Sequence, residues 1–222
     1  MLKGVIFDMD GVIMDNNAYH EKAWIEFCKS YGISLTPEEI HHQIFGRIAK
    51  DTLEYIFKKN LRREEINFFV NQKENIYRDI YRKAIKPNPG LIGFLDDLKA
   101  HKLRLGLATS APPGNVDYTL QHIPVRKYFE VILDAESVIK GKPDPEIYLK
   151  AIGMLGLVPE ECIIFEDSIP GIRSGIAAGA HVIGVATTHK RDELKAVKWI
   201  VDDFRAINSE YLSRLIDRSQ AV

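Results

Sequence analysis

Six short apolar runs recur along this chain, with helical patterns between them, and that alternation constrains the fold more than any other feature. They are "VIF" at Val5–Phe7, "LRLGLAT" at Leu103–Thr109, "EVILD" at Glu130–Asp134, "CIIFE" at Cys162–Glu166, "HVIGVA" at His181–Ala186 and "WIVDD" at Trp199–Asp203. Strands that are apolar on both faces must be covered on both faces, and helices between successive strands supply that cover. The expected class is α/β, built on a parallel sheet. Stretches such as "NPGLIGFLDDLKAHK" and "DPEIYLKAIGMLG" read as the intervening helices. Asp144 followed by Pro145 reads as an N-cap with a first-turn proline.

One region breaks the alternation. From about Asn16 to Ala84 the pattern is helix after helix with no strand run, and "TPEE" at Thr36–Glu39 has the order of a capping box. "KPNPG" at Lys86–Gly90 reads as the return linker. The expected organisation is a core from residues 1–15 and 86–222, with an all-helical domain inserted at 16–85. An insertion directly after the first strand is expected above the strand ends, where open α/β sheets bind ligands. Most of its cations (among Lys22, Lys50, Lys58, Lys59, Arg62, Arg63, Lys73 and Arg78) read by default as a solvated face.

Composition narrows the function classes. A net charge of −1 over 222 residues provides no global field for nucleic acid or an anionic membrane. Two cysteines, Cys28 and Cys162, are too few for a disulfide scaffold and form no metal-type pair. No basic-then-apolar leader opens the sequence, and no apolar stretch approaches a membrane span. A soluble, cytoplasmic protein is expected. Gly171, Gly175 and Gly179 spell GxxxG twice, but Arg173 excludes a membrane helix, and close packing on the sheet accounts for them.

The polar residues that end the strands are more informative. The first run stops at "DMDG", with Asp8 and Asp10 on one face of an extended segment, about 7 Å apart. Asp-Gly is also a turn signal. An EF-hand loop is excluded, because Ile6 and Asn17 stand where that motif needs an acid and a Glu. The second run ends on Thr109 and Ser110, and the fourth on Glu166 and Asp167; Lys142 lies in a Gly-Pro loop ahead of a helix. Each has a bland explanation alone: a cap, a turn, a surface charge. Parallel strands, however, bring all their carboxyl ends to one edge. Two carboxylates about 5 Å apart at an effective dielectric near 20 repel by roughly 3 kcal/mol. A divalent cation relieves that, and an all-oxygen ligand set suits Mg²⁺. Lys142 and the Thr109 hydroxyl then suit an anion beside the metal, with a phosphoryl group the natural candidate.

"DMDGV", "ATS", "GKPDPEIY" and "FEDSIPGIRSGIAAGA" resemble, in order and spacing, the four motifs of the haloacid dehalogenase (HAD) superfamily. The helical insertion resembles the cap of its beta-phosphoglucomutase-like branch. The resemblance implies a Rossmann-like HAD core with an inserted helical cap. It implies Asp8 as a nucleophile forming an aspartyl phosphate, Asp10 as general acid and base, and Thr109 and Lys142 as phosphoryl ligands. It also implies Mg²⁺ held by Asp8, the Asp10 carbonyl and Asp167, with Glu166 ligating or close by. Ser110 and Asn115 fall near the same loop. The chemistry is consistent with this: a carboxylate nucleophile divides a very slow hydrolysis into two easier steps.

A phospho-accepting receiver module also places acids, a Thr/Ser and a Lys at strand ends, but it has no large helical insertion. A dehalogenase has no need of a proton-shuttling Asp10, and a pseudoenzyme would not keep all four motifs. In the cap, His20 of "HEKAW" either touches substrate or braces the helices. Lys73 and Tyr77 match a Lys-x-x-x-Tyr spacing that makes Lys73 a substrate-site candidate, and Cys28 reads as core. The mutase pattern of Lys-Gly followed three residues later by Arg is replaced by Phe45-Gly46 and Ala49, leaving Arg47 and Lys50 to act at other angles. A phosphatase of small phosphorylated metabolites, sugar phosphates above all, is expected. Beta-phosphoglucomutase is the alternative.

Overall fold

The computed structural model of the protein describes residues 1–44, 47 and 49–219. Phe45, expected to stand in place of a mutase lysine, lies outside the described residues, as do Gly46 and Ile48. By its internal contacts the chain forms two compact units, Met1–Asp15 with Lys86–Val222, and Asn16–Ile85.

The first unit is an α/β structure around a six-stranded parallel sheet. Its strands are β1 (Gly4–Phe7), β2 (Arg104–Ala108), β3 (Val131–Leu133), β4 (Cys162–Glu166), β5 (His181–Val185) and β6 (Trp199–Val201), in the order β3-β2-β1-β4-β5-β6. The fully apolar β1 takes the centre, paired in parallel with β2 and β4. In register, Phe7 faces Leu107 on one side and Phe165 on the other, so these three strands end level. Alternation divides the core. Phe7 and Phe165 stack at 5.3 Å and join Phe94, Phe129 and Phe204. Ile6 and Ile164 face the other way, into a cluster with Ile147, Tyr148, Ala151 and Leu155. Each fully buried Phe, Ile or Leu among them contributes about 1.5–3 kcal/mol. The residues after Phe7 and Phe165 are Asp8 and Glu166, and the period of two turns both toward the side of Ile6 and Tyr148.

Helix α7 (Glu146–Met154) begins one residue later than the sequence suggests, with Pro145 at the cap position. The Asp144 carboxylate still accepts the Glu146 N–H at 3.1 Å, so the side chain performs the expected capping from one place further back. The other helices of this unit include α5 (Leu91–Ala100), α6 (Pro113–His122), α8 (Ile169–Ala177) and α9 (Ser209–Ser219).

The second unit consists, among the described residues, of helices α1 (Asn17–Ser30), α2 (Pro37–Gln43), α3 (Ala49–Phe57) and α4 (Arg63–Tyr81). Thr36 and Glu39 form the expected capping box, Glu39 N–H to Thr36 Oγ1 at 3.1 Å and Thr36 N–H to Glu39 Oε2 at 2.8 Å. Trp24, Phe27, Cys28, Ile40, Leu53 and Ile56 make its core. The solvated-face reading fails for Lys73, which is only 3% exposed. Its ammonium contacts Glu74 Oε1 at 2.9 Å and His20 Nδ1 at 2.8 Å, and lies 4.9 Å from the Trp24 ring centre. A buried cation persists only when paired, and these neighbours supply the pairing.

Candidate active site

The level ends of β1, β2 and β4 gather the polar groups of the first unit. Asp8 follows β1, Thr109 and Ser110 follow β2, and Glu166 and Asp167 close β4. Lys142, on the loop before α7, is buried rather than a surface charge, and it ties the strands together. Its Nζ donates to Asp8 Oδ1 at 2.7 Å and Glu166 Oε1 at 2.6 Å, and lies 4.8 Å from the Tyr148 ring centre.

Glu166 is fully buried and heavily hydrogen-bonded. Lys142 and the Tyr148 hydroxyl (2.8 Å) share Oε1, while Oε2 accepts from Asp167 N–H, Ser168 N–H and the Ser168 hydroxyl at 2.9–3.0 Å. The Ser168 hydroxyl in turn accepts the Gly171 N–H as the N-cap of α8. Gly171 must lack a side chain, since a Cβ there would stand 1.7 Å from Glu166 Oε1. Close packing on the sheet, expected for this glycine series, holds for Gly175, whose Cβ would meet Val182 and Ile164. At Gly171 the close neighbour is a site carboxylate instead.

The carboxylates respond differently to burial. Burial is the largest influence on Asp8 and pushes it up to about 7, with the charges of Glu166 and Asp10 adding and Lys142 opposing. Burial also raises Asp167 well above the usual range, again with the neighbouring acids adding; the Thr188 hydroxyl, which donates to Asp167 Oδ2, works the other way. Burial would raise Glu166 too, but Lys142, the Ser168 N–H and the Tyr148 hydroxyl bring it below its ordinary value. For Lys142, burial opposes the charge and the Asp8 and Glu166 carboxylates more than restore it. One buried cation therefore faces more acid than it can neutralise. Asp8, Glu166 and Asp167 each offer an oxygen within 4.8 Å of the others, the donor set a hard divalent cation takes.

Asp10 reaches this cluster by a turn, one of the two local structures that its Asp-Gly sequence allows. β1 stops at Phe7, and the Ile13 N–H bonds Met9 O at 2.8 Å, so a turn rather than an extended segment presents Asp10. Its charge nonetheless acts on Asp8. Thr109 is buried with its N–H on Leu133 O, and Oγ1 accepts the Ala111 N–H at 3.1 Å. Ser110 is half-buried, and Asn115 is buried in the first turn of α6. His20, Arg47, Lys50 and Lys73 belong to the helical unit. There His20 stacks on Tyr77 at 3.8 Å, Arg47 is exposed and donates to Gln43 at 3.1 Å, and Lys50 is exposed. Tyr148, Ser168 and Thr188 were not singled out from the sequence. Tyr148 and Ser168 lie inside the quoted motifs, where their apolar or capping roles hid their polar bonds.

The family model for haloacid dehalogenase-like hydrolases matches residues 5–185, and the chain belongs to that family. A phosphorylated carbohydrates phosphatase of Thermotoga maritima is 32% identical over 88% of this chain and 90% of that protein. Hexitol phosphatase A of Escherichia coli is 31% identical over 92% of this chain and 93% of its own. Among solved structures, beta-phosphoglucomutase from Clostridium difficile superposes with a TM-score of 0.89 at 27% identity, covering 100% of both chains. Membership of a hydrolase family removes the receiver-module reading. Among the described residues no helix is long and apolar enough to cross a membrane.

Proposed function

We propose that this protein is a Mg²⁺-dependent phosphatase of a small phosphorylated metabolite, a sugar phosphate above all, acting through an aspartyl phosphate on Asp8. The observation that carries the reading is the Lys142 ammonium set between Asp8 and Glu166 at the strand ends, with Asp167 beside them. Relatives named as phosphatases of phosphorylated carbohydrates and of hexitols support the substrate class.

The Asp8 carboxylate attacks phosphorus, the ester P–O bond breaks, and Asp10 gives its proton to the departing oxygen. Asp10 then takes a proton from water, the water oxygen attacks phosphorus, and the P–O bond to Asp8 breaks to release phosphate. Lys142 offsets charge on the phosphoryl oxygens, and Thr109 and Ser110 offer hydroxyl groups to them. The excess of buried carboxylate over cation fits a divalent ion held by Asp8, Asp167 and the Asp10 carbonyl, with Glu166 at its side. Bound there, Mg²⁺ would supply Lewis-acid neutralisation of the phosphoryl group. Residues 1–15 and 86–222 would form the catalytic core, and 16–85 its cap. The cap candidates His20, Arg47, Lys50 and Lys73 divide: Arg47 and Lys50 are exposed cations, whereas the partners of Lys73 favour bracing. A cytoplasmic location belongs to the same proposal and is supported by two buried free thiols.

The mutase reading is kept by the 0.89 superposition on beta-phosphoglucomutase. Phosphate release across a panel of phosphorylated metabolites, with Mg²⁺ and with chelator, tests the proposal. Metal-dependent release from sugar phosphates is expected. Hexose phosphate isomerisation without release would overturn the choice of branch.

A further inference from the structure

We propose that Asn88 and Thr187 are positioning residues for the proton transfers assigned to Asp10. The inference rests on the phosphatase reading above and goes beyond it, because neither side chain belongs to the four strand-end motifs.

Asp10 sits in a tight loop. The N–H groups of Val12 and Ile13 both point to Met9 O, a bridge pairs Asp10 with Met14, and Gly11 takes a positive φ of 75°. Closing the loop this way turns its next three carbonyls outward, and one residue collects all of them. Asn88 donates its side-chain amide to Gly11 O and to Val12 O, each at 2.9 Å, and its backbone N–H to Ile13 O at 2.8 Å. From the far side the Thr187 hydroxyl donates to the same Gly11 oxygen at 2.8 Å. The carbonyl immediately after Asp10 is therefore held from two directions, by segments 77 and 176 positions away.

Both donors stand on fixed backbone. Asn88 lies between Pro87 and Pro89, which limit its own backbone and its neighbours'. Pro89 O accepts the Phe204 N–H at 3.0 Å, and a Cβ on Gly90 would stand 2.5 Å from Arg205 N, so the segment is pressed on the core. Thr187 lies in the turn that follows β5, with its N–H on Val185 O. Asn88 itself is only 5% exposed. A buried amide whose two hydrogens and backbone N–H all serve one loop fixes where that loop lies, and so where Asp10 starts its proton transfer. Misplacing a catalytic group by about 1 Å costs on the order of a hundredfold in rate.

The test compares leaving groups in the Mg²⁺-loaded full-length enzyme. An alkyl ester such as a hexose 6-phosphate needs a proton on its departing oxygen; p-nitrophenyl phosphate does not. In Asn88→Leu and Thr187→Val, kcat/KM for the hexose phosphate is expected to fall about ten- to a hundredfold, and for p-nitrophenyl phosphate by less than about threefold. Thr187→Ser, which keeps the hydroxyl, is expected to restore the ratio. Equal losses on the two substrates, or no loss on either, would overturn the inference. If Asn88→Leu fails to fold by circular dichroism, the Thr187 pair decides alone. Absence of Asp8-dependent phosphate release in the wild type is a different result: it removes the phosphatase reading, and this inference with it.

Discussion

Lys142 Nζ stands 2.7 Å from Asp8 Oδ1, although 134 positions separate the two residues. The same nitrogen reaches Glu166, so one ammonium bridges the ends of two neighbouring strands. Removing it leaves two buried carboxylates facing each other without a cation.

Lys142→Ala is accordingly expected to lose turnover and about 3–5 kcal/mol of stability, the usual cost of stripping one partner from a buried pair. Lys142→Arg is not expected to restore activity, because a planar guanidinium cannot replace a compact ammonium in so closed a site. Denaturant unfolding and a phosphate-release assay on both variants check this. A stable, active alanine variant would remove Lys142 from the chemistry.

Two glycines on one helix separate function from packing. Gly171→Ala puts a methyl group 1.7 Å from Glu166 Oε1 and is expected to abolish activity by displacing that carboxylate. Gly175→Ala meets Val182 Cγ2 at 2.8 Å, a core side chain rather than a site carboxylate, and is expected to cost about 1–3 kcal/mol while keeping kcat within a few-fold of wild type. Comparable kinetics for the two variants would contradict the role given to Glu166.

The pH dependence of the loop that carries Lys142 follows from Glu146. Its carboxylate accepts the N–H groups of Ile139 and Lys140, each at 2.9 Å, and these bonds hold it below the ordinary glutamate value. A lowered folded pKa means that the stabilisation is present above the unfolded value of about 4.3 and is lost as pH falls through the folded one. Glu146→Gln should thus destabilise the protein at pH 7, with the difference from wild type shrinking below about pH 4. Thermal unfolding across pH 3–7 measures it. A constant difference would show that Glu146 does not titrate with folding.

The parallel sheet and the strand-end acids were legible because each apolar run ends abruptly on polar residues, and parallel strands of equal register end together. The local structure at Asp10 was legible only as two open readings, since an Asp-x-Asp-Gly string is compatible with an extended segment as well as a bend. Tyr148 and Glu166 are 18 positions apart, and Asn88 and Gly11 are 77 apart. Such pairs are set by which strands become neighbours and how helices lie on them, which no local pattern encodes. Lys73 was legible as a substrate-site candidate, but its burial was not: the pairing with His20 and Glu74 depends on how α1 and α4 pack.

The central claim is that Asp8 carries the phosphoryl group. Substrate labelled in its phosphoryl group, mixed with enzyme and Mg²⁺ and quenched in acid within milliseconds, traps any covalent intermediate for peptide mapping. Label is expected on the peptide containing Asp8, with none in Asp8→Asn, a variant expected to fold normally and to lose turnover by about 10⁴-fold or more. Label on a serine or histidine, or turnover in Asp8→Asn close to that of the wild type, would contradict the account.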